Sequence, residues 1–178
     1  MARRRNPAKR FLLLAVLLAL VAALLVGTWY VASPWMALTS LRDAATDLDT
    51  AELEQRIDFP SVRASIRPQI RSRVARTLDR QADLGPFREL GQALARAASD
   101  RVIESAVTPE GLATIVTTGA VAAPVIGSAP QAIDWSVDRD GFDRFRATGQ
   151  VAGRQTPTIL HFTREGFGWR LVAVDLPL

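Results

Sequence analysis

Residues Phe11 to Ala32, FLLLAVLLALVAALLVGTWYVA, form an apolar run with no charged residue in it. Crossing a hydrocarbon core takes about 20 apolar residues in helical form, because a helix satisfies its own backbone groups where water is absent. The run meets that length. A cleaved secretory leader would show a shorter apolar stretch of about 7–15 residues and a small-residue cleavage site. The nearest candidate here is Val31-Ala32-Ser33, and Pro34 would follow the cut, where it hinders the peptidase. Trp29 and Tyr30 fit an aromatic belt at the far interface. The expectation is an uncleaved transmembrane anchor over 11–32.

Orientation follows from charge. Arg3, Arg4, Arg5, Lys9 and Arg10 precede the run with no acidic residue among them. The positive-inside rule then places a basic tail, 1–10, in the cytoplasm and exports the rest. Of 22 Lys+Arg, setting those five aside leaves 17 against 18 Asp+Glu. The pI near 10.8 is therefore largely a property of the tail, and the basicity that elsewhere points to nucleic acid is here a topology signal. No nucleic-acid partner is expected. The expected location is a bacterial inner membrane, single-pass, with the domain periplasmic or otherwise extracytoplasmic and the lipid bilayer as partner through 11–32.

About 145 residues remain beyond the anchor, 33–178, enough for one domain with its own core. The chain has no cysteine, which excludes disulfides and thiolate metal sites.

The first part of this domain, 33–119, reads as helical. Ser33-Pro34 has the form of an N-cap and first helical residue, and Trp35, Leu38, Leu41 and Ala45 then repeat at helical spacing to Leu48. Asp49-Thr50 starts a short helix with Glu52 and Glu54 in its first turn. Asp58-Phe59-Pro60 makes the next break, and a third helix follows through Val62, Ile66, Ile70, Val74 and Leu78. Pro68 inside this pattern predicts a kink, or two helices meeting. A further Ala-rich helix is expected from Pro86 to about Val107. Thr108-Pro109-Glu110 is another helix start, with Leu112, Ile115 and Val116 as its buried side and Gly119 as its end. Ala120 to Ala132 reads as a loop, with a short extended stretch at Val125-Ile126.

From Ile133 the residue types favour strands, at Asp134–Val137, Phe142–Val151, Thr158–Arg164 and Trp169–Leu176. Asp140-Gly141, Gly153 to Pro157 and Glu165-Gly166 separate them, and such short connections predict an antiparallel meander of three to four strands over 133–178. Leu160, Phe162, Leu171 and Ala173 are expected to face the helices. Helices followed by strands make the fold class α+β.

Several stretches together resemble a known family: Tyr30 to Leu41 (YVASPWMALTSL), Asp58-Phe59-Pro60 with Val62 to Ile66, Val107 to Leu112 (VTPEGL), Phe142 to Phe145, and Gly168 to Leu171 with Leu176-Pro177. The chain resembles the bacterial family known as domain of unknown function 2939. The resemblance implies a single-pass envelope protein with no assigned activity and supplies no catalytic residue. Pro68 departs from it, standing where an ordinary helix residue is expected. A looser, fold-level likeness is to nuclear transport factor 2-like domains, in which helices fill the concave face of a curved sheet; it licenses no function.

A search for chemistry finds little. His161 is the single histidine, and no nucleophile motif such as G-x-S-x-G accompanies it; sequence alone places neither Ser128 nor Asp175 beside it. An ordinary sheet residue is the plainer reading. One His and no Cys leave only carboxylates for a zinc site, which zinc sites rarely use. Asp138-x-Asp140-Gly141 resembles part of a calcium loop, yet lacks the remaining ligands and reads better as a hairpin turn among Asp134, Asp138, Asp140 and Asp143. Arg63, Arg67, Arg71, Arg73, Arg76 and Arg80 on the third helix form either an anion- or headgroup-binding ridge or, more simply, a wet face neutralised by Asp79 and Asp83. Asp58 and Arg63 could line a pocket, although Asp58 as cap, Phe59 as staple and Pro60 in the first turn already have local roles. The candidate pocket or interaction residues are Asp58, Phe59, Arg63, Arg67, His161 and Trp169. No catalytic, metal or cofactor residue is expected, nor is an enzyme. Two functions remain: a non-catalytic module binding an envelope partner, or a cone-like domain holding a small apolar ligand between helices and sheet.

Overall fold

The structure is a computed structural model that describes residues 7–80, 100–101, 103–104, 107–118 and 133–177. The helix expected over 86–107 falls mostly outside the described residues, with 100, 101, 103 and 104 helical. The loop expected over 120–132 and the closing Gly119 lie outside them altogether.

Four helices are described in full: α1 Pro7–Asp47, α2 Thr50–Arg56, α3 Phe59–Arg80 and α4 Pro109–Thr118. A four-stranded antiparallel sheet follows in the order β1 Ile133–Arg139, β2 Arg144–Val151, β3 Thr158–Glu165 and β4 Gly168–Asp175. The fold is α+β, with the meander the turn signals predict. Gly141, Gly153 and Gly166 stand at the three turns with φ of 83°, 79° and 59°, a region open to glycine at no steric cost.

The apolar run and the first domain helix are one element. α1 is a single helix of 41 residues, about 60 Å long at 1.5 Å per residue. The expected helix start at Ser33-Pro34 is therefore corrected: Pro34 lies inside the helix. Pro34 cannot donate to the Tyr30 carbonyl, the usual cause of a break. That carbonyl instead accepts from the Ser33 hydroxyl at 3.0 Å and from the Arg139 guanidinium of β1. Relieved of its orphan acceptor, the helix continues. Its two parts meet different surroundings. Phe11, Leu14, Leu18, Leu24 and Val31 are exposed, whereas Leu38, Leu41, Ala44 and Ala45 are buried in the core. Trp35, expected on the buried side, is exposed.

α1 ends in a left-handed residue, Leu48, with the Asp49 N–H bonded to the Ala44 carbonyl in a Schellman arrangement. Asp49 then caps α2, its carboxylate accepting from the Glu52 N–H at 3.0 Å. α3 passes through Pro68 as one helix, so two helices do not meet there. Thr108 caps α4, its hydroxyl accepting from the Gly111 N–H at 3.1 Å.

α3 packs along β4 and deals with its outer edge, whose unpaired groups would otherwise be open to pairing. Ile57 forms a parallel bridge with Leu171, and the Asp58 N–H donates to the Leu171 carbonyl at 2.9 Å. Two turns further along, Ser65 Oγ accepts from the Val174 N–H at 3.1 Å. Gln69 donates to the Val174 carbonyl at 2.7 Å and accepts from the Leu176 N–H at 2.9 Å. Two helical side chains thus stand in for a fifth strand.

The core joins Leu38 and Leu41 of α1, Val62 and Ile66 of α3, and Leu112 and Ile115 of α4 to Phe145, Leu160, Phe162 and Leu171 of the sheet. Phe145 and Phe162, paired across β2 and β3, stack at 4.4 Å. The alternation expected in β4 is corrected after Leu171. The β3–β4 register shifts between His161 and Phe162, so that Phe162 faces Leu171 and His161 faces Ala173. Val172 is the extra residue of this bulge, and the slip puts Val174 rather than Ala173 in the core.

Candidate functional site

The six candidate residues do not converge on one site. Asp58 is the cap of α3: its two oxygens accept from the Ser61 N–H at 3.1 Å and the Ser61 hydroxyl at 2.8 Å. These bonds, with the charge of Arg170, outweigh desolvation and hold its carboxyl below the ordinary value of 3.8. Phe59 is half-buried and packs on the core. Arg63 donates from Nη2 to the Val107 carbonyl at 3.4 Å, joining α3 to the turn before α4. Arg67 is exposed, as are Arg71, Arg73 and Arg76, with Arg71 paired to Asp100 at 3.4 Å. From Arg67 to Arg76 the arginines form a wet face.

His161 meets Asp175 across β3 and β4, Nε2 to Oδ2, at 2.8 Å. Asp175 also approaches Gln69 Nε2 at 3.5 Å. The pair would orient an imidazole, but acyl-transfer chemistry also needs a nucleophile in reach. Ser65, the serine tied into the same stretch of β4, gives its proton to the Val62 carbonyl at 2.8 Å and receives the Val174 N–H. Its hydroxyl is committed to the backbone. Ser128 lies outside the described residues. Among the described residues no group of three or more His, Asp or Glu is placed to hold a metal ion. Asp140 and Asp143 flank Arg144, each at 3.9 Å, as a charged hairpin turn.

Trp169 belongs to a different and larger group, where the sheet meets α1. Its indole N–H donates to Ser33 Oγ at 3.1 Å in a buried bond, and its ring stands edge-on to Phe145 at 4.8 Å. The Arg164 guanidinium lies over Trp169 at 4.4 Å, Tyr30 at 5.3 Å and Trp29 at 5.5 Å. Arg139 lies over Tyr30 at 4.0 Å and reaches the Tyr30 and Val31 carbonyls. Arg139 Nη1 and Arg164 Nε and Nη2 are buried without a hydrogen-bond partner; ring faces, whose quadrupoles attract cations, surround them instead. This cluster fixes the angle at which the apolar part of α1 leaves the domain. Tyr30 was read only as part of an aromatic belt, and Arg139 and Arg164 were not among the residues singled out in the sequence. Their signal is a repeated tetrapeptide, Arg139-Asp140-Gly141-Phe142 and Arg164-Glu165-Gly166-Phe167, at the tips of two hairpins.

α1 is, by length and composition, long and apolar enough to cross a membrane, and its most apolar window is not buried at all. A groove of about 750 Å3 runs along it, with Leu20, Leu24, Gly27, Val31 and Trp35 among its lining residues.

A model of the family described as "Protein of unknown function (DUF2939)" matches residues 23–115, just over half of the chain. The chain belongs to this family. For this DUF2939 member the matched region starts inside the apolar run and ends in α4. It takes in Tyr30, Ser33, the Asp58-Phe59-Pro60 break and the α4 cap, while the sheet lies outside it. Neither curated proteins nor solved structures yield a match to the chain.

Proposed function

We propose that this DUF2939 protein is a membrane-anchored, non-catalytic interaction module of the bacterial cell envelope. Its α+β domain would be held outside the cytoplasm, directly on the inner membrane. The observation that carries this reading is the split environment of α1. One unbroken helix is bare and apolar from Phe11 to Thr28 and core-packed from Ala37 to Ala45. Exposed apolar surface on that scale exceeds what water tolerates and matches what a bilayer covers. The basic tail supports a cytoplasmic N-terminus. The partner would be an envelope protein.

Holding a small apolar ligand between helices and sheet is the less supported function. A groove of about 750 Å3 lined by described residues lies along the apolar part of α1, where acyl chains would fill it.

Cysteine accessibility tests the topology cleanly, because the chain has no native thiol. In spheroplasts of a bacterial host, a membrane-impermeant maleimide is expected to label Thr50→Cys but not Asn6→Cys until the membrane is permeabilised. Equal labelling of both, or labelling of neither in intact spheroplasts, would refute the proposed topology. Proximity labelling from the domain is expected to recover the same envelope protein repeatedly, and recovery of none would count against an interaction module.

A further inference from the structure

The twin hairpin tips flank α1 at one level and are alike in composition and contacts. Each carries arginine, an acid, glycine and phenylalanine in that order. Phe142 lies 5.9 Å from the Tyr30 ring, and Phe167 lies 6.3 Å from Trp29. Despite those contacts the two phenylalanines are 80% and 87% exposed. An exposed large aromatic at one turn is common; two at matched positions beside the end of an apolar helix form a patch. The acids at the tips have partners, Asp140 and Asp143 with Arg144 and Glu165 with Arg170 at 3.1 Å, so they do not set up a negative surface.

Position along α1 identifies the occupant. Trp29 and Tyr30 stand 18 and 19 residues beyond Phe11, which is about 28 Å at 1.5 Å per residue. A hydrocarbon core is about 30 Å thick. If the core begins at Phe11, the rings of Trp29 and Tyr30, and with them both tips, lie at its outer boundary. Aromatic rings favour that boundary.

We propose that the β1–β2 and β3–β4 tips are a second membrane contact, with Phe142 and Phe167 seated at the acyl–headgroup boundary of the outer leaflet and Arg139 and Arg164 at headgroup level behind them. The domain then rests on the bilayer at three points, α1 and the two tips, and presents its remaining surface in one orientation. This rests on the anchor reading, and the two fail separately.

The test is depth measurement on the full-length chain in phosphatidylethanolamine–phosphatidylglycerol vesicles. An environment-sensitive nitrobenzoxadiazole label is placed on Phe142→Cys, Phe167→Cys, Gln155→Cys at the opposite end of the sheet, or Leu20→Cys inside the anchor. Labels at 142 and 167 are expected to shift their emission to the blue and to lose fluorescence to lipids carrying a shallow nitroxide, while 155 responds only to aqueous iodide. Iodide quenching at 142 and 167 equal to that at 155, with 20 still quenched by a deep nitroxide, would overturn the second contact and leave the anchor standing. Shielding of the tips from both quenchers would also overturn it, in favour of a protein on the patch. Failure of the deep nitroxide at 20 would remove the anchor itself, and this contact with it.

Discussion

Tyr30 has a carbonyl that Pro34 cannot serve, and much of the local chemistry follows from that. Ser33 bridges two needs: its hydroxyl donates to the Tyr30 carbonyl and accepts the buried Trp169 indole N–H. Ser33→Ala leaves that N–H without a partner. A buried unsatisfied donor costs about 1–3 kcal/mol, so a stability loss of that order is expected in urea titrations of the detergent-solubilised chain. Asp58 sets a pH dependence. Its carboxyl titrates lower in the folded chain than in the unfolded one, so its charge contributes stability that is fully present above the ordinary value of 3.8 and is lost as pH falls through the depressed folded value. Asp58→Asn keeps a capping side chain but removes the titration. Unfolding measured over acidic pH is expected to show a shallower decline in the variant than in the parent, and an unchanged slope would contradict the role given to Ser61.

At the scale of elements, α1 is one helix with an exposed part and a core-packed part, so the same substitution should have two outcomes along it. Leu41 is fully buried and Leu17 is 58% exposed. Leu41→Ala is expected to cost about 2–5 kcal/mol of domain stability, whereas Leu17→Ala leaves the unfolding midpoint in place. In the sheet, Gly149 faces Trp135 across β1 and β2, and a Cβ there would come within 2.8 Å of the indole. Gly149→Ala is expected to destabilise by about 1–3 kcal/mol as the ring is displaced, with a change in tryptophan emission as the accompanying signal.

Which elements could be read from the sequence depended on how local their causes are. The caps Asp49, Asp58 and Thr108 bond residues three positions away, so residue type and spacing reveal them. The glycine turns are equally local, and with them came the meander. Ser33-Pro34 misled because proline at a helix start and proline inside a helix look the same until the fate of the Tyr30 carbonyl is known. Its partner Arg139 is 109 residues distant. The bulge at Val172 has no marker of its own type, so the inward turn of Val174 appears only in the strand register. Trp169 was legible as a candidate, while Arg139 and Arg164 became meaningful only when two similar tetrapeptides were brought to the same level of α1.

For the whole molecule, the apolar run and the domain share a helix instead of a linker, and the aromatic–arginine cluster braces the exit from the core. The domain is therefore expected to hold a fixed distance and tilt to the surface from which α1 emerges. That depends on α1 staying whole. Intact mass spectrometry of the protein recovered from carbonate-washed membranes is the most direct measurement. The prediction is a chain that retains Phe11–Ala32 together with the domain, in the membrane pellet. A shorter chain beginning at Ser33 or Pro34, released into the soluble fraction, would contradict it.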